Sequence, residues 1–161
     1  MQRIAVIGQG YVGLPLSIAA AESGLWVTGI DIDQRKIESI QAFNSPVEDI
    51  SDQRIQAATS SGKFSATSDF AKVSDAEVVV ICVPTPLDGN LEPDLAALKG
   101  AVNSVVPFLH EGTLLISEST SYPGTLRREI KPIFDAICPQ LDLMFAVSPE
   151  RVDPGNTKFN I

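Results

Sequence analysis

The stretch IAVIGQGYVG near the amino terminus places three glycines, Gly8, Gly10 and Gly13, directly after a short apolar run. The apolar residues of Arg3–Ile7 predict a buried strand, and the alanine-rich residues that follow Gly13 predict a helix. Glycine costs conformational entropy when it is fixed in a structure, so this spacing indicates that backbone geometry matters at the turn. A glycine turn between a strand and a helix restricts the fold more than any other feature of this chain.

Strands and helices alternate along the rest of the chain. Six strands are predicted, at Arg3–Ile7, Trp26–Ile30, Phe64–Ala66, Glu77–Val83, Thr113–Ser117 and Leu143–Val147. The main helices are predicted at Tyr11–Ser23, Gln34–Phe43, Asp52–Ser60, Asp94–Leu109 and Pro123–Ile137. This pattern predicts an α/β fold with a Rossmann-like, doubly wound and mostly parallel sheet that carries helices on both faces. The most apolar strand, Glu77–Val83, is expected at the centre of the sheet, and residues 1–161 suit one domain.

Ligands of such sheets bind beyond the carboxyl ends of the strands, so the glycine turn lies where a ligand is expected. In the pattern G-x-G-x-x-G, Gly8 permits the tight turn, Gly10 lets a pyrophosphate approach the backbone, and Gly13 lets the helix pack closely on the strand. Asp31 follows the next strand, 23 residues after Gly8, where a carboxylate can bind the hydroxyls of an adenosine ribose. The strand, turn, helix and acidic residue together predict a dinucleotide cofactor.

Asp31 favours NAD over NADP, because a carboxylate repels the phosphate at the 2′ position of NADP. Arg35 and Lys36 leave two interpretations open, since either side chain can meet a phosphate or can lie on a solvated helix face. Asp33 is better explained as the N-terminal cap of the following helix than as a second ribose ligand.

Polar residues also follow the later strands. Thr85 lies between two prolines and offers a hydroxyl and an amide to the cofactor, although a purely structural turn is the alternative. Thr120 lies in a run of hydroxyl residues where the nicotinamide half of the cofactor is expected, and we favour a functional role for it. Glu150 and Arg151 are candidates for facing a substrate, and a surface charge pair is the alternative interpretation.

Five segments together resemble the amino-terminal domain of the UDP-glucose/GDP-mannose dehydrogenase family: IAVIGQGYVGLPL, GIDID, ICVPTPL, ESTSYPGT and SPERVDPGN. The last segment resembles the branch that acts on UDP-N-acetylhexosamines. The resemblance implies an NAD-dependent, two-step oxidation of the C6 alcohol of a nucleotide sugar to a carboxylate. It also implies that a catalytic and substrate-binding domain lies downstream of residue 161, and that the full-length protein is a homo-oligomer.

The resemblance assigns two groups of residues. It gives Thr120 a place near the catalytic water and gives Glu150 a role in proton handling or in the aldehyde-to-acid step. It places these residues on the cofactor: Gly8, Gly10, Tyr11, Val12, Gly13, Asp31, Thr85 and Thr120. Neither Cys82 nor Cys138 matches the sequence around the family's catalytic cysteine, so the chain alone is expected to bind NAD without turning over a sugar nucleotide.

Composition excludes several other classes of function. A net charge of −8 makes nucleic acid an unexpected partner, and the longest apolar run is too short to span a membrane. One histidine and two isolated cysteines predict no metal site, and free thiols fit a reducing cytoplasm. Two alternatives to the nucleotide-sugar enzyme remain: the NAD-binding domain of a β-hydroxyacid-type dehydrogenase, and a non-catalytic NAD-binding module.

Overall fold

The structure of the chain is a computed structural model that describes residues 2–149. Glu150 and Arg151, for which a place facing a substrate is predicted, lie outside the described residues. Within them the chain forms a single six-stranded sheet. Its strands, numbered along the chain, are β1 Arg3–Ile7, β2 Trp26–Ile30, β3 Phe64–Thr67, β4 Val78–Ile81, β5 Leu114–Ser117 and β6 Met144–Val147.

The strands lie in the order β3-β2-β1-β4-β5-β6, and every neighbouring pair is parallel. This is the order of the Rossmann fold, so the predicted fold class is confirmed. The chain winds outwards from β1 to β3 and then returns to place β4 on the other side of β1. The predicted central position of β4 is therefore confirmed, and the strand order reverses between β1 and β4.

Helices cover both faces of the sheet. They are α1 Gly13–Glu22, α2 Gln34–Gln41, α3 Asp52–Ser60, α4 Ala96–Val105 and α5 Lys131–Ile137. Apolar residues of α1, α2 and α3 pack with Val6 and Val80 on one face. Residues of α4 and α5 pack with Ala5 and Val79 on the other face. Because successive strand residues point to opposite faces, the uninterrupted apolar run of β4 contributes to both cores.

Two helices begin later than the sequence predicts. The first helix was expected from Tyr11, but α1 begins at Gly13 and no side chain caps it. The last helix was expected from Pro123, but the regular structure begins with a π-helical turn at Leu126–Ile130 that leads into α5. Tight turns occupy the residues in between, since Gly124 has a φ of +93° and the Thr125 hydroxyl donates to the Tyr122 carbonyl.

Candidate functional site

The three glycines of the turn are required for three different reasons. Gly8 has a φ of +91°, and a Cβ there would lie 2.5 Å from the carbonyl oxygen of Cys82 at the end of β4. A Cβ at Gly13 would lie 1.8 Å from the carbonyl oxygen of Gly8, so α1 approaches the turn too closely for any side chain. A Cβ at Gly10 would meet nothing within 4 Å, so this backbone faces open space. The first two glycines serve the fold, and Gly10 leaves room for a ligand.

The start of α1 lies beside this open space. The first amides of a helix have no partner inside the helix, and no side chain caps α1. These amides and the helix dipole favour an anion at this position. Gly10, with the exposed Tyr11 and the half-buried Val12, lines a cavity of about 400 Å³ next to the helix start.

Asp31 is held in one orientation at the end of β2, with only 5% of its surface exposed. Its Oδ2 accepts a hydrogen bond from the Gln9 amide at 2.8 Å and another from the Lys36 ammonium group at 3.0 Å. Its Oδ1 accepts from the Asp33 amide at 2.8 Å. A carboxylate oxygen accepts about two hydrogen bonds, so Oδ2 is filled while Oδ1 keeps one acceptor position for a ligand hydroxyl.

Lys36 differs from both interpretations that the sequence leaves open, which are a solvated side chain and a cation that binds a phosphate. Its ammonium group forms the ion pair with Asp31, and 38% of its side chain remains exposed. It lines both the cavity at Gly10 and a neighbouring cavity of about 480 Å³ that contains Asp31. The pair therefore presents a negative and a positive group to the same space.

Asp33 lines the cavity that contains Asp31, and its side chain pairs with Arg35. The Asp33 side chain accepts from the Arg35 amide at 3.0 Å and caps α2, so the capping prediction is confirmed. The Arg35 guanidinium group also donates to both oxygens of Asp33, and these hydrogen bonds lower the pKa of that carboxyl group.

The cavity at Gly10 and the cavity at Asp31 adjoin each other, because several residues line both of them. The two share Gly10 of the turn, Lys36 of α2, and Cys82, Val83 and Pro84 after β4. Both lie where the strand order reverses between β1 and β4. A long ligand can therefore extend from Asp31, across Gly10, towards the loop after β5.

Thr85 and Thr120 meet at the far end of this path. The Thr85 hydroxyl donates to the Thr120 carbonyl at 2.6 Å, and both residues line the cavity at Gly10. The hydrogen of Thr85 is therefore used within the protein, which leaves its oxygen as an acceptor and its amide as a donor. Thr120 is exposed, so its hydroxyl is accessible to a ligand.

Sequence reasoning missed Ser119, which fixes the two loops that carry these threonines. Ser119 is buried, and its hydroxyl accepts from the Val83 amide at 3.1 Å and donates to the Val83 carbonyl at 2.7 Å. The run of four hydroxyl residues in ESTSY gave no sign of which side chain points inwards. The one available signal is the two-residue alternation of a strand. If it continues past the end of β5, Ser119 points to the same side as Ser117, and both side chains are buried.

A cavity of about 960 Å³ lies elsewhere, at the start of α4. There the Lys99 ammonium group pairs with Glu129 at 2.6 Å, and the Tyr122 hydroxyl donates to the same carboxylate at 3.1 Å. The Lys99 hydrogen bond lowers the pKa of Glu129, and burial is the main cause that raises the pKa of Tyr122. No residue of the glycine turn lines this cavity, so its volume alone does not make it the cofactor site.

Two further features limit the chemistry. Among residues 2–149, no group of three or more His, Cys, Asp or Glu is placed to hold a metal ion. Cys82 and Cys138 are both buried, and burial is the main cause that raises the pKa of Cys138. In the same part of the chain, every helix is too short or too polar to cross a membrane.

The open backbone at Gly10 and the fixed carboxylate of Asp31 flank the reversal of strand order, as they do in dinucleotide-binding domains of the Rossmann type. Sequence comparison identifies which domain of this type is present. Residues 2–161 match the family described as "UDP-glucose/GDP-mannose dehydrogenase family, NAD binding domain". The chain belongs to this family, and NAD is the cofactor of the matched domain. The resemblance stated from the five sequence segments is therefore confirmed.

Individual relatives agree with this assignment. The chain is 38% identical over 159 residues to the UDP-N-acetyl-D-mannosamine dehydrogenase of Pyrococcus horikoshii, a match that covers 95% of the chain and 37% of the relative. It is 32% identical to the UDP-N-acetyl-D-glucosamine 6-dehydrogenase of Pseudomonas aeruginosa, covering 99% and 37%. A solved ternary complex of GDP-mannose dehydrogenase from Pseudomonas aeruginosa superposes with a TM-score of 0.89 at 28% identity, covering 95% and 37%. The chain thus spans about 37% of the length of these relatives.

Proposed function

We propose that the chain is the NAD-binding part of a nucleotide-sugar 6-dehydrogenase that oxidises the C6 alcohol of a UDP-N-acetylhexosamine to the uronic acid. The observation that carries the proposal is the open backbone at Gly10 beside the preorganised carboxylate of Asp31. The sugar nucleotide is proposed because both named bacterial and archaeal relatives above act on UDP-N-acetylhexosamines. We also propose that the full-length protein is a cytoplasmic homo-oligomer that supplies a polysaccharide precursor.

The residues of the chain hold the cofactor along the path described above. Asp31 would accept a ribose hydroxyl at Oδ1, and the Lys36 ammonium group that pairs with it lines the same cavity. The amides at Gly10, Tyr11 and Val12 face the pyrophosphate at the helix start. The loops that carry Thr85 and Thr120 bound the nicotinamide end.

When bound, NAD accepts a hydride from the sugar C6 carbon in each of two successive oxidations, so two NAD are reduced per uronic acid. Thr120 is proposed to orient a water near the reacting carbon, and its exposed position beside the cavity at Gly10 supports this role. Glu150 is proposed to handle a proton or to assist the aldehyde-to-acid step. A carboxylate serves in this way when its surroundings tune its pKa to the working pH.

Asp31→Ala is expected to lower the affinity for NAD by about tenfold or more, because hydrogen bonds to a charged acceptor are worth about 1.5–3 kcal/mol. The unaltered chain is expected to bind NAD more tightly than NADP, and the variant is expected to lose most of that preference. Isothermal titration calorimetry with both cofactors measures the two ratios.

Asp135→Ala is the control for this experiment, because Asp135 is a carboxylate that lines neither cofactor cavity and whose side chain pairs with Lys131. It is expected to change the NAD affinity by less than about twofold. Equal affinity of the unaltered chain for NAD and NADP would contradict the role given to Asp31.

The 161-residue chain is expected to bind NAD but to produce no NADH at a sustained rate from any UDP-hexose or UDP-N-acetylhexosamine. Conversion of the aldehyde to the acid needs an activated nucleophile, and the thiolate is the reactive form of cysteine. The raised pKa of Cys138 disfavours its thiolate, and the sequence around Cys82 does not match that of the family's catalytic cysteine. Absorbance at the NADH band, followed over a panel of UDP-sugars, measures turnover.

The same chain joined to the downstream region of a relative is expected to recover turnover and to lose it again with Thr120→Ala. Sustained NADH production by the chain alone would show that residues 1–161 contain a complete active site. NAD binding without recovery in the joined protein would instead favour the alternative of a non-catalytic NAD-binding module.

A further inference from the structure

Gln9 is a fully buried polar residue between the first two glycines, with 0% of its surface exposed. Its side-chain amide group donates to the Val6 carbonyl at 2.9 Å and reaches the Gly8 carbonyl at 3.4 Å. Its side-chain oxygen accepts from the Ser17 hydroxyl at 3.2 Å. The side chain thus ties the glycine turn to the end of β1 and to the first turns of α1.

The backbone of the same residue makes the contact that matters to the cofactor site. The Gln9 amide donates to Oδ2 of Asp31 at 2.8 Å. The hydrogen bonds of the Gln9 side chain restrict the position of the Gln9 backbone. They therefore fix the direction in which this backbone amide points. A shift of the amide would remove one of the two hydrogen bonds to Oδ2 and would leave the carboxylate held only by Lys36 and by the Asp33 amide.

We propose that Gln9 is a positioning residue for the nucleotide, which holds Asp31 and the Gly10 backbone in the arrangement that binds NAD. Gln9 itself has no surface for a ligand to touch, so it acts only through Asp31 and the turn. This inference rests on the proposed function. It adds that discrimination between NAD and NADP depends on a residue that neither cofactor contacts.

Gly29 offers a way to disturb Gln9 without changing it. Gly29 lies in β2, and a Cβ there would meet the side-chain carbon and oxygen of the Gln9 amide, each at 2.6 Å. Gly29 does not line either cofactor cavity. A single methyl group on β2 therefore has to displace the amide side chain of Gln9.

Gly29→Ala is expected to lower the affinity for NAD about tenfold, because it displaces the Gln9 side chain and so removes the backbone hydrogen bond that helps to orient Asp31. The ratio of NAD to NADP affinity is expected to fall as well, which a loss of stability alone would not cause. Calorimetry gives both affinities, and urea unfolding gives the stability of each variant. Thr28→Ala is the matched control, because it introduces alanine at the neighbouring strand position on the opposite face of the sheet.

The double variant Gln9→Ala, Gly29→Ala tests the coupling directly. With the amide removed, the new methyl group has space, so Gly29→Ala is expected to change NAD affinity by less than about twofold in this background. Gln9→Met, which keeps the length of the side chain but not its hydrogen bonds, provides a second route if Gly29→Ala does not fold.

A folded Gly29→Ala or Gln9→Met that keeps the NAD affinity and the cofactor ratio of the unaltered chain would overturn the inference. Such a result would leave the proposed function intact, since the unaltered chain would still bind NAD. Failure of the unaltered chain itself to bind NAD would refute the proposed function and this inference together.

Discussion

Gly10→Val is expected to reduce NAD affinity by more than about a hundredfold, because the loss of two amide contacts to a charged phosphate costs about 3–6 kcal/mol. The added side chain would occupy the space in front of the backbone, where a Cβ meets nothing within 4 Å. The same open space predicts that the free energy of unfolding changes little. Calorimetry measures the binding, and circular dichroism with urea titration measures the fold.

The control for Gly10→Val is Gly10→Ala, whose smaller side chain intrudes less on the pyrophosphate. It is expected to lose affinity by a smaller factor than the valine variant. Normal NAD binding by a folded Gly10→Val would show that the pyrophosphate does not approach this backbone, and the path of the cofactor would have to be drawn elsewhere.

Gly13→Ala, unlike Gly10→Val, is expected to act on the stability of the fold. It should lower the free energy of unfolding by about 3 kcal/mol or more, since overpacking of a rigid contact costs about 1–3 kcal/mol and occasionally exceeds this range. The added Cβ would lie 1.8 Å from the Gly8 carbonyl oxygen, so α1 has to move away from the turn. Against a typical stability of about 5–15 kcal/mol, this loss is large. The urea midpoint of unfolding measures it.

Gly100→Ala is the matched control for Gly13→Ala. Gly100 lies inside α4, and a Cβ there would meet nothing within 4 Å. Alanine is favoured over glycine in a helix by about 1 kcal/mol, so this variant is expected to raise the urea midpoint. A Gly13→Ala protein as stable as the unaltered chain would show that the approach of α1 to the turn is not tight in solution.

The order of the elements and the geometry of the glycine turn beside Asp31 were predictable because they depend on local patterns. Apolar runs, glycine spacing and the acidic residue after β2 are each visible within about 30 residues. The roles given to Gly8 and Gly13 follow from the same pattern. The physical reason for each is that an added Cβ would lie too close to a backbone carbonyl oxygen.

The remaining features depend on contacts between distant segments, which local patterns do not encode. Lys36 left two interpretations open in the sequence, and the structure brings its ammonium group back to Asp31 because α2 begins directly after the capping residue. Gln9 is one of the unspecified positions of the glycine motif, yet it is buried against β2. Ser119 joins two loops whose residues are 36 positions apart.

The pairing of β1 with β4 determines when the site is completed during folding. Ile7 pairs with Ile81, which lies 74 positions further along the chain, and the cavity that contains Asp31 is lined by residues at the ends of these two strands. Contacts over such separations form late and slowly in folding, because a long loop must close first. The cavities therefore gain the wall that Cys82, Val83 and Pro84 supply only when β4 has paired with β1. A ligand that binds the completed site better than the unfolded chain then stabilises the finished sheet by mass action.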